Sequence, residues 1–340
     1  MRILQAMAGA QHGGAEAFFV RLIGALERAG VEQQVLIRKN IDRAKKLRQA
    51  GVEPREFKFG GKLDWRTPWQ IKKEIENFKP DIVLSWMNRA TAMCPQGEFI
   101  HASRLGGYYD LKYYESCDHL IGNTQDIVSY IVEQGWPEEK VHYLPNFVTS
   151  DLEKPILRQE FYTPVSAPLF LCMGRLHENK GFDTMLKALS REPNAYLWIA
   201  GEGSQRRYLE KLAEKLGVKP RVRFLGWRND VAALLACCDV FVCPSRHEPL
   251  GNVVLEAWAH RRPVVAAESQ GPSNLINHLE TGILVPIDNP ISLSKALRML
   301  IDDPELCSNM TDSGYETYLK HFSESVVVGK YVEFFERISS

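Results

Sequence analysis

The stretch DVFVCPSRHEPLGNVVLEAWAHRRPVVAA, residues 239–267, reads as strand, turn, helix, strand. DVFVCP (239–244) and RPVVAA (262–267) are short apolar, β-branched runs of strand length. Between them Pro249, Gly251 and Asn252 make a turn that ends in a helix cap, with VVLEAWA as the helix behind it. A helical crossover between two strands makes them parallel neighbours. The positions around Glu256, 253–255 and 257–259, are all apolar, so this helix is expected to be buried on most faces and to leave the carboxylate little water.

The same alternation extends in both directions. Before the midpoint the strand candidates are 3–7, 33–38, 81–86, 98–103, 118–122 and 141–144; after it they are 168–174, 195–201, 222–226, 239–244, 262–267 and 282–286. Amphipathic stretches such as AEAFFVRLIGALERAG, QRRYLEKLAEKLG and ISLSKALRMLIDD lie between them. The expected class is α/β, with two doubly wound Rossmann-like domains facing each other across an interdomain cleft. A segment with four prolines and no clean period, 144–168, is the connector. The domains are therefore expected at 1–155 and 156–321, with a final helix, 322–340, free to pack back on the first.

Composition narrows the classes. The 340 residues, 45% apolar and 25% charged, are ordinary for a folded protein of about two domains. Lys plus Arg equals Asp plus Glu, 42 each, so no global field favours nucleic acid as a partner. Seven cysteines without a C-x-x-C pair suit neither a disulfide framework nor a zinc cage and point to a reducing, cytoplasmic setting. The N-terminus lacks a signal-peptide core, and no apolar run approaches the length of a membrane span.

Ligands of open parallel sheets bind beyond the carboxyl ends of strands, so candidate site residues are sought there. Gly13-Gly14 leads straight into the first helix, where backbone N–H groups can approach an anion; a plain tight turn is the alternative. No G-x-G-x-x-G fingerprint or P-loop is present, which disfavours NAD oxidoreductases and P-loop NTPases. Arg175 and Lys180, on the loop between a strand and a helix beginning near Gly181, suit a diphosphate, with a solvated loop as the alternative. Glu248, on the loop before the helix, and Glu256, within it, can engage different parts of one elongated ligand; an exposed loop carboxylate and a buried ion pair are the alternatives.

Glu248 and Glu256 with seven residues between them resemble the E-x7-E motif of the retaining family-4 glycosyltransferases, which have the GT-B architecture. HGGAE (12–16), GRLHENKGFD (174–183), AGEGS (200–204), VRFLGW (222–227) and TGILVP (281–286) carry the resemblance along nearly the whole chain. It implies transfer of a sugar from a nucleotide-diphosphate donor with retention, commonly without a metal or other cofactor. By match to the family pattern, Arg175 and Lys180 would bind the diphosphate, with Gly13 and Gly14 closing from the other domain. Glu256 would hold the ribose hydroxyls, while Glu248 and the Leu250-Gly251-Asn252 backbone would touch the donor sugar. Gly201 joins the donor-binding set and His101 the catalytic one, with Arg104 as the alternative to His101 and a packed strand residue as the alternative reading of His101 itself. A UDP-sugar is the first expectation and GDP-mannose the second. Where relatives often have a Glu after a Gly-Gly-Pro-like turn, this chain has Asn274.

Segment 38–73 holds twelve Lys or Arg against four acids (Asp42, Glu53, Glu56, Asp64), a local excess of +8, with Trp65 and Trp69 beside it. In an acceptor-binding domain such a patch could rest on an anionic inner-membrane surface or hold a phosphorylated glycolipid; a solvated basic face is the alternative. RLGGYYDLKYYESCDHLIGNT (104–124) resembles bacterial transferases of lipopolysaccharide core or similar surface glycans, which implies a glycan or glycolipid acceptor. A nucleotide-sugar epimerase of the same fold and a non-catalytic two-domain nucleotide- or glycan-binding protein are the competing readings.

Overall fold

The computed structural model describes residues 1–11, 13–61, 63–151 and 153–339. His12 of the HGGAE motif and Lys62 of the basic segment lie outside the described residues. The chain forms two compact units: Met1–Phe147 with Glu324–Ser340, and Val148–Ser323. The first unit thus ends at Phe147, ahead of the boundary expected at 155, and takes in the last helix.

In the first unit the elements run β1 (Arg2–Met7), α1 (Gly14–Arg28), β2 (Glu32–Arg38), α2 (Ile41–Gln49), β3 (Arg55–Phe57) and α3 (Arg66–Phe78). They continue through β4 (Ile82–Trp86), α4 (Met87–Met93), β5 (Ile100–Leu105), β6 (His119–Gly122), α5 (Gln125–Glu133) and β7 (Val141–Tyr143). The strands form one parallel sheet in the order β3-β2-β1-β4-β5-β6-β7. Its direction of winding reverses between β1 and β4, which register Met7 opposite Trp86 at their carboxyl ends.

The second unit runs β8 (Leu169–Met173), α6 (Phe182–Leu189), β9 (Tyr196–Ala200), α7 (Arg206–Lys215), β10 (Val222–Gly226), α8 (Val231–Cys237) and β11 (Val240–Cys243). After these come α9 (Asn252–Ala259), β12 (Val264–Ala267), α10 (Gln270–Leu275), β13 (Ile283–Val285), α11 (Pro290–Asp302) and α12 (Pro304–His321). Its sheet, β10-β9-β8-β11-β12-β13, reverses between β8 and β11. The chain closes with α13 (Glu324–Ser339) in the first unit.

Every strand expected from the sequence is present; β3, a charged three-residue edge strand, is the addition. Strands covered on both faces by helices are largely apolar, so they stand out as near-continuous hydrophobic runs. One face of the first sheet packs Phe18, Phe19 and Leu22 of α1 with Tyr331, Phe334 and Phe335 of α13. The other face packs Leu4, Leu36 and Val83 against Phe59, Ile71 and Ala90. In the second unit Leu186, Leu209 and Leu297 cover one face, and Leu234, Val254 and Trp258 the other.

His101 and Arg104 both lie on β5 and both are buried. His101 stands at the amino end of its strand, the end opposite the ligand-binding edge. Its Nε2 is 2.9 Å from the Ser85 hydroxyl and its Nδ1 is 3.7 Å from the Cys117 thiol. Burial holds its pKa down at about 4, so the ring is neutral. The structure therefore places His101 in the core, which corrects its expected place among the catalytic groups. Arg104, at the carboxyl end, donates from Nε to Tyr331 of α13 at 2.9 Å and from Nη2 to Asn146. Its guanidinium carbon lies 4.7 and 4.8 Å from the ring centroids of Phe18 and Trp86. These contacts hold the last helix and the segment before Phe147 to the end of β5.

Candidate functional site

In the second unit, the crevice at the β8/β11 switch point is built by backbone turns that only small residues permit. Gly174 and Gly201 follow β8 and β9 with φ of 144° and 150°, a conformation L side chains rarely adopt. A Cβ on Gly201 would overlap the carbonyl of Gly174. Three backbone bonds lace the loops together: Gly174 N to Ala200 O at 3.0 Å, Leu176 N to Glu202 O at 2.9 Å, and Gly201 N to Gly226 O at 2.7 Å. Gly201, expected to bind the donor, is thus seen setting the spacing of these loops.

The turn carrying Arg175 and Lys180 interlocks with the turn after β11. Asn179 O accepts from Arg246 N and His247 N, at 2.8 and 3.2 Å. Gly271 N, on α10, donates to Glu248 O at 2.7 Å. Arg246 bonds Asp183 and Asp288, each at 2.9 Å, and these hydrogen bonds push its pKa further up. A lone Arg in a loop carries no spacing signal, and its clamp role was not apparent in the sequence.

On this frame Lys180 Nζ makes an ion pair with Glu248 Oε2, with side chains only 23% and 11% exposed. Arg175 is exposed and forms no ion pair among the described residues. Leu250, Gly251 and Asn252 follow Glu248 after Pro249, and Gly251, at φ 69°, caps α9. Neither α6 nor α9 has a side-chain cap, so the positive ends of two helices lie beside the Lys180–Glu248 pair with first-turn N–H groups unclaimed by capping side chains. Glu256 sits one turn into α9 and is half-buried rather than enclosed, because that face of the helix is left open. Asn274, on α10, is exposed. Cations, helix N-termini and a neutralised carboxylate together suit an anionic ligand flanked by hydroxyls.

Gly13 and Gly14 belong to the first unit and are exposed at the start of α1. The Glu16 carboxylate folds back over Gly13 and accepts from Ala10 N at 2.7 Å. Among the described residues no group of three or more His, Cys, Asp or Glu side chains is placed to hold a metal ion. All seven cysteines are free; burial raises Cys94 and Cys238 to about 12 and Cys243 to about 11.

The family description "Glycosyl transferases group 1" matches residues 153–317, and "Glycosyltransferase Family 4" matches residues 12–152. The lipopolysaccharide core biosynthesis glycosyltransferase LpsE of Rhizobium meliloti is 37% identical over 330 residues, covering 94% of this chain and 95% of LpsE. The chain is a family-4 glycosyltransferase. LpsD of the same organism, a second lipopolysaccharide core biosynthesis glycosyltransferase, is 34% identical over 96% of the chain and 95% of its own length. In fold, the crystal structure of Anabaena HepE in complex with UDP superposes with a TM-score of 0.86 at 20% identity, covering 99% of this chain and 100% of HepE. The family-4 glycosyltransferase has the GT-B architecture of two Rossmann-like units, and its membership favours sugar transfer over the epimerase and silent-binder readings.

Proposed function

We propose that this glycosyltransferase moves a hexose, with retention and without a metal or other cofactor, from a UDP-activated donor to a lipid-linked or lipopolysaccharide-type glycan. The observation that carries the reading is the Lys180–Glu248 pair at the β8/β11 switch point, beside the exposed Arg175 and two helix N-termini without side-chain caps. Loss of a nucleoside diphosphate leaves negative charge on the departing phosphate, and fixed cations and N–H dipoles stabilise it where it develops. Arg175 and Lys180 take the diphosphate in this assignment. Glu256 accepts from the ribose hydroxyls, and Glu248 with the Leu250–Asn252 backbone orients the donor sugar.

The donor choice is supported by HepE, a protein of this fold crystallised with UDP; GDP-mannose is the second candidate. The acceptor class is supported by the LpsE and LpsD relatives. The deciding experiment is calorimetric titration with UDP, GDP, ADP and NAD in EDTA. Micromolar binding of one nucleoside diphosphate is expected, and binding of none would remove the donor-site assignments.

We assign the enzyme to the cytoplasmic face of the inner membrane as a peripheral protein. Among the described residues no helix is long and apolar enough to cross a membrane. The basic segment takes in α2, β3 and the first part of α3, and presents Leu63, Trp65 and Trp69 to solvent with 94%, 72% and 61% exposure. Lys and Arg interleaved with exposed aromatic groups suit an anionic lipid surface. Arg43 does not contribute, being buried against the carbonyl of Ala10.

A further inference from the structure

The first unit carries a feature at its own strand ends that the donor chemistry does not use. After β5 the chain runs Gly106-Gly107-Tyr108-Tyr109-Asp110 before a short helical turn, Leu111–Tyr113. Neither glycine has a φ in the left-handed region, so backbone conformation does not require them. What a side chain there would do is cover Tyr109. A Cβ on Gly107 would lie 3.8 Å from Cε1 and Cζ of the Tyr109 ring, and one on Gly106 would lie 4.0 Å from its hydroxyl. The pair keeps that part of the ring clear.

The loop is braced from beneath. Tyr130 of α5 donates to the Tyr109 carbonyl at 2.9 Å, and its ring meets Tyr108 edge-on, 5.3 Å between centroids. Tyr108 is 43% exposed and Tyr109 half-buried. The start of α1 borders the shelf: Ala15 Cβ is 3.9 Å from where a Cβ of Gly106 would stand. The Tyr109 hydroxyl lies in the fields of the Glu16 carboxylate and the Arg104 guanidinium, and it makes no hydrogen bond to another described residue. An open aromatic ring with an unused hydroxyl and a carboxylate nearby is chemistry for a sugar: C–H groups stack on the ring, and hydroxyls are held by Oη and the carboxylate.

We propose that Tyr109, next to Tyr108, within the field of Glu16 and kept clear by Gly106 and Gly107, is the subsite for a pyranose of the acceptor glycan. The assignment rests on the transferase reading and adds to it a location for the acceptor. The test uses the full chain saturated with UDP, titrated with delipidated core oligosaccharide from a rough-type lipopolysaccharide. Gly107→Val should weaken oligosaccharide binding about tenfold or more while leaving UDP affinity within about twofold. Tyr109→Phe keeps the stacking face and should cost about fivefold through the lost hydroxyl. Tyr113→Ala, outside the shelf, should change neither. If Gly107→Val fails to fold, Gly107→Ala and Tyr109→Phe carry the test. Wild-type protein that binds UDP while the shelf variants hold the oligosaccharide as tightly as wild type, or while no form binds it, overturns the subsite alone. Wild-type protein that binds no nucleoside diphosphate overturns the transferase reading and the subsite with it.

Discussion

Replacing Lys180 by Met separates the pairing seen for its ammonium from the donor contact proposed for it. In the free protein it neutralises Glu248, a carboxylate 8% exposed overall. Removing one partner of a fully buried pair costs about 3–5 kcal/mol, because the other charge is stranded. Here the Lys180 side chain keeps 23% exposure and that of Glu248 11%, so a cost at or just below the foot of that range, about 2–3 kcal/mol, is expected. For a unit of this size that is a fall in Tm of about 5–10 °C. In the proposed donor assignment the same ammonium meets the diphosphate, and losing a charge-assisted contact should weaken UDP binding by about 2–3 kcal/mol, or roughly 30- to 150-fold.

A double-mutant cycle distinguishes these effects. Lys180→Met with Glu248→Gln strands no charge, so most of the lost stability should return, whereas UDP binding should stay weak. Glu248→Gln alone should leave UDP affinity intact and lower transfer. Calorimetric Kd values in EDTA and thermal melts of the four proteins complete the cycle. A Lys180→Met protein that binds UDP like wild type, or a double mutant that regains UDP affinity, would refute the assignment of this ammonium to the donor.

Three further outcomes follow from particular contacts. His101 is held at about 4 against an ordinary 6.5, so between those values the unfolded chain binds a proton that the native state does not. Stability should fall by about 3 kcal/mol as pH drops from 6.5 to 4, and His101→Gln should flatten that slope in denaturant titrations; an unchanged slope would sink the neutral-core reading. Gly201→Ala, at φ 150° and against the Gly174 carbonyl, should cost about 3 kcal/mol or more, whereas Gly30→Ala, at φ 76° with nothing within 4 Å, should cost about 1 kcal/mol. Reversing three or four charges among the exposed Lys and Arg of 38–73 should release the protein from anionic vesicles and leave UDP binding unchanged; equal vesicle binding would remove the membrane assignment.

The sequence disclosed strands and glycine turns because each rests on local chemistry. Parallel strands covered by helices carry apolar cores, VLI in β2 and IVL in β4 for example, which made twelve strands visible, while β3 (Arg55–Phe57), three residues long at a sheet edge, has no such run. The Gly251 cap and the turns around Lys180 and Glu248 were likewise legible, since left-handed backbone and close approach restrict the residue. His101 was misplaced for the complementary reason. A histidine in an apolar run looks the same whether its ring meets a ligand or, as here, Ser85 and Cys117 from neighbouring segments. Arg246 escaped notice because Asp183 and Asp288, which define its role, are far along the chain from it and from each other.

The same reasoning explains why the proposed donor-side residues could be named from sequence while the proposed acceptor shelf could not. A diphosphate presents a fixed, dense charge, and the means of holding it are few: cations, helix N-termini and glycines that let backbone approach. Those means leave a short-range pattern, here Arg175 to Gly181 and Glu248 to Asn252. A neutral pyranose is held by ring faces and hydroxyl partners that many residue types provide and that different segments contribute. Tyr109, Gly107 and Glu16 lie on two separate stretches of chain, and nothing in either spacing relates them. They come together only where α1 and the end of β5 meet, so on the proposed subsite variation in this loop should change acceptor choice without disturbing any donor motif. Exchanging Gly106–Asp110 between relatives should therefore transfer acceptor preference while UDP affinity stays with the second unit.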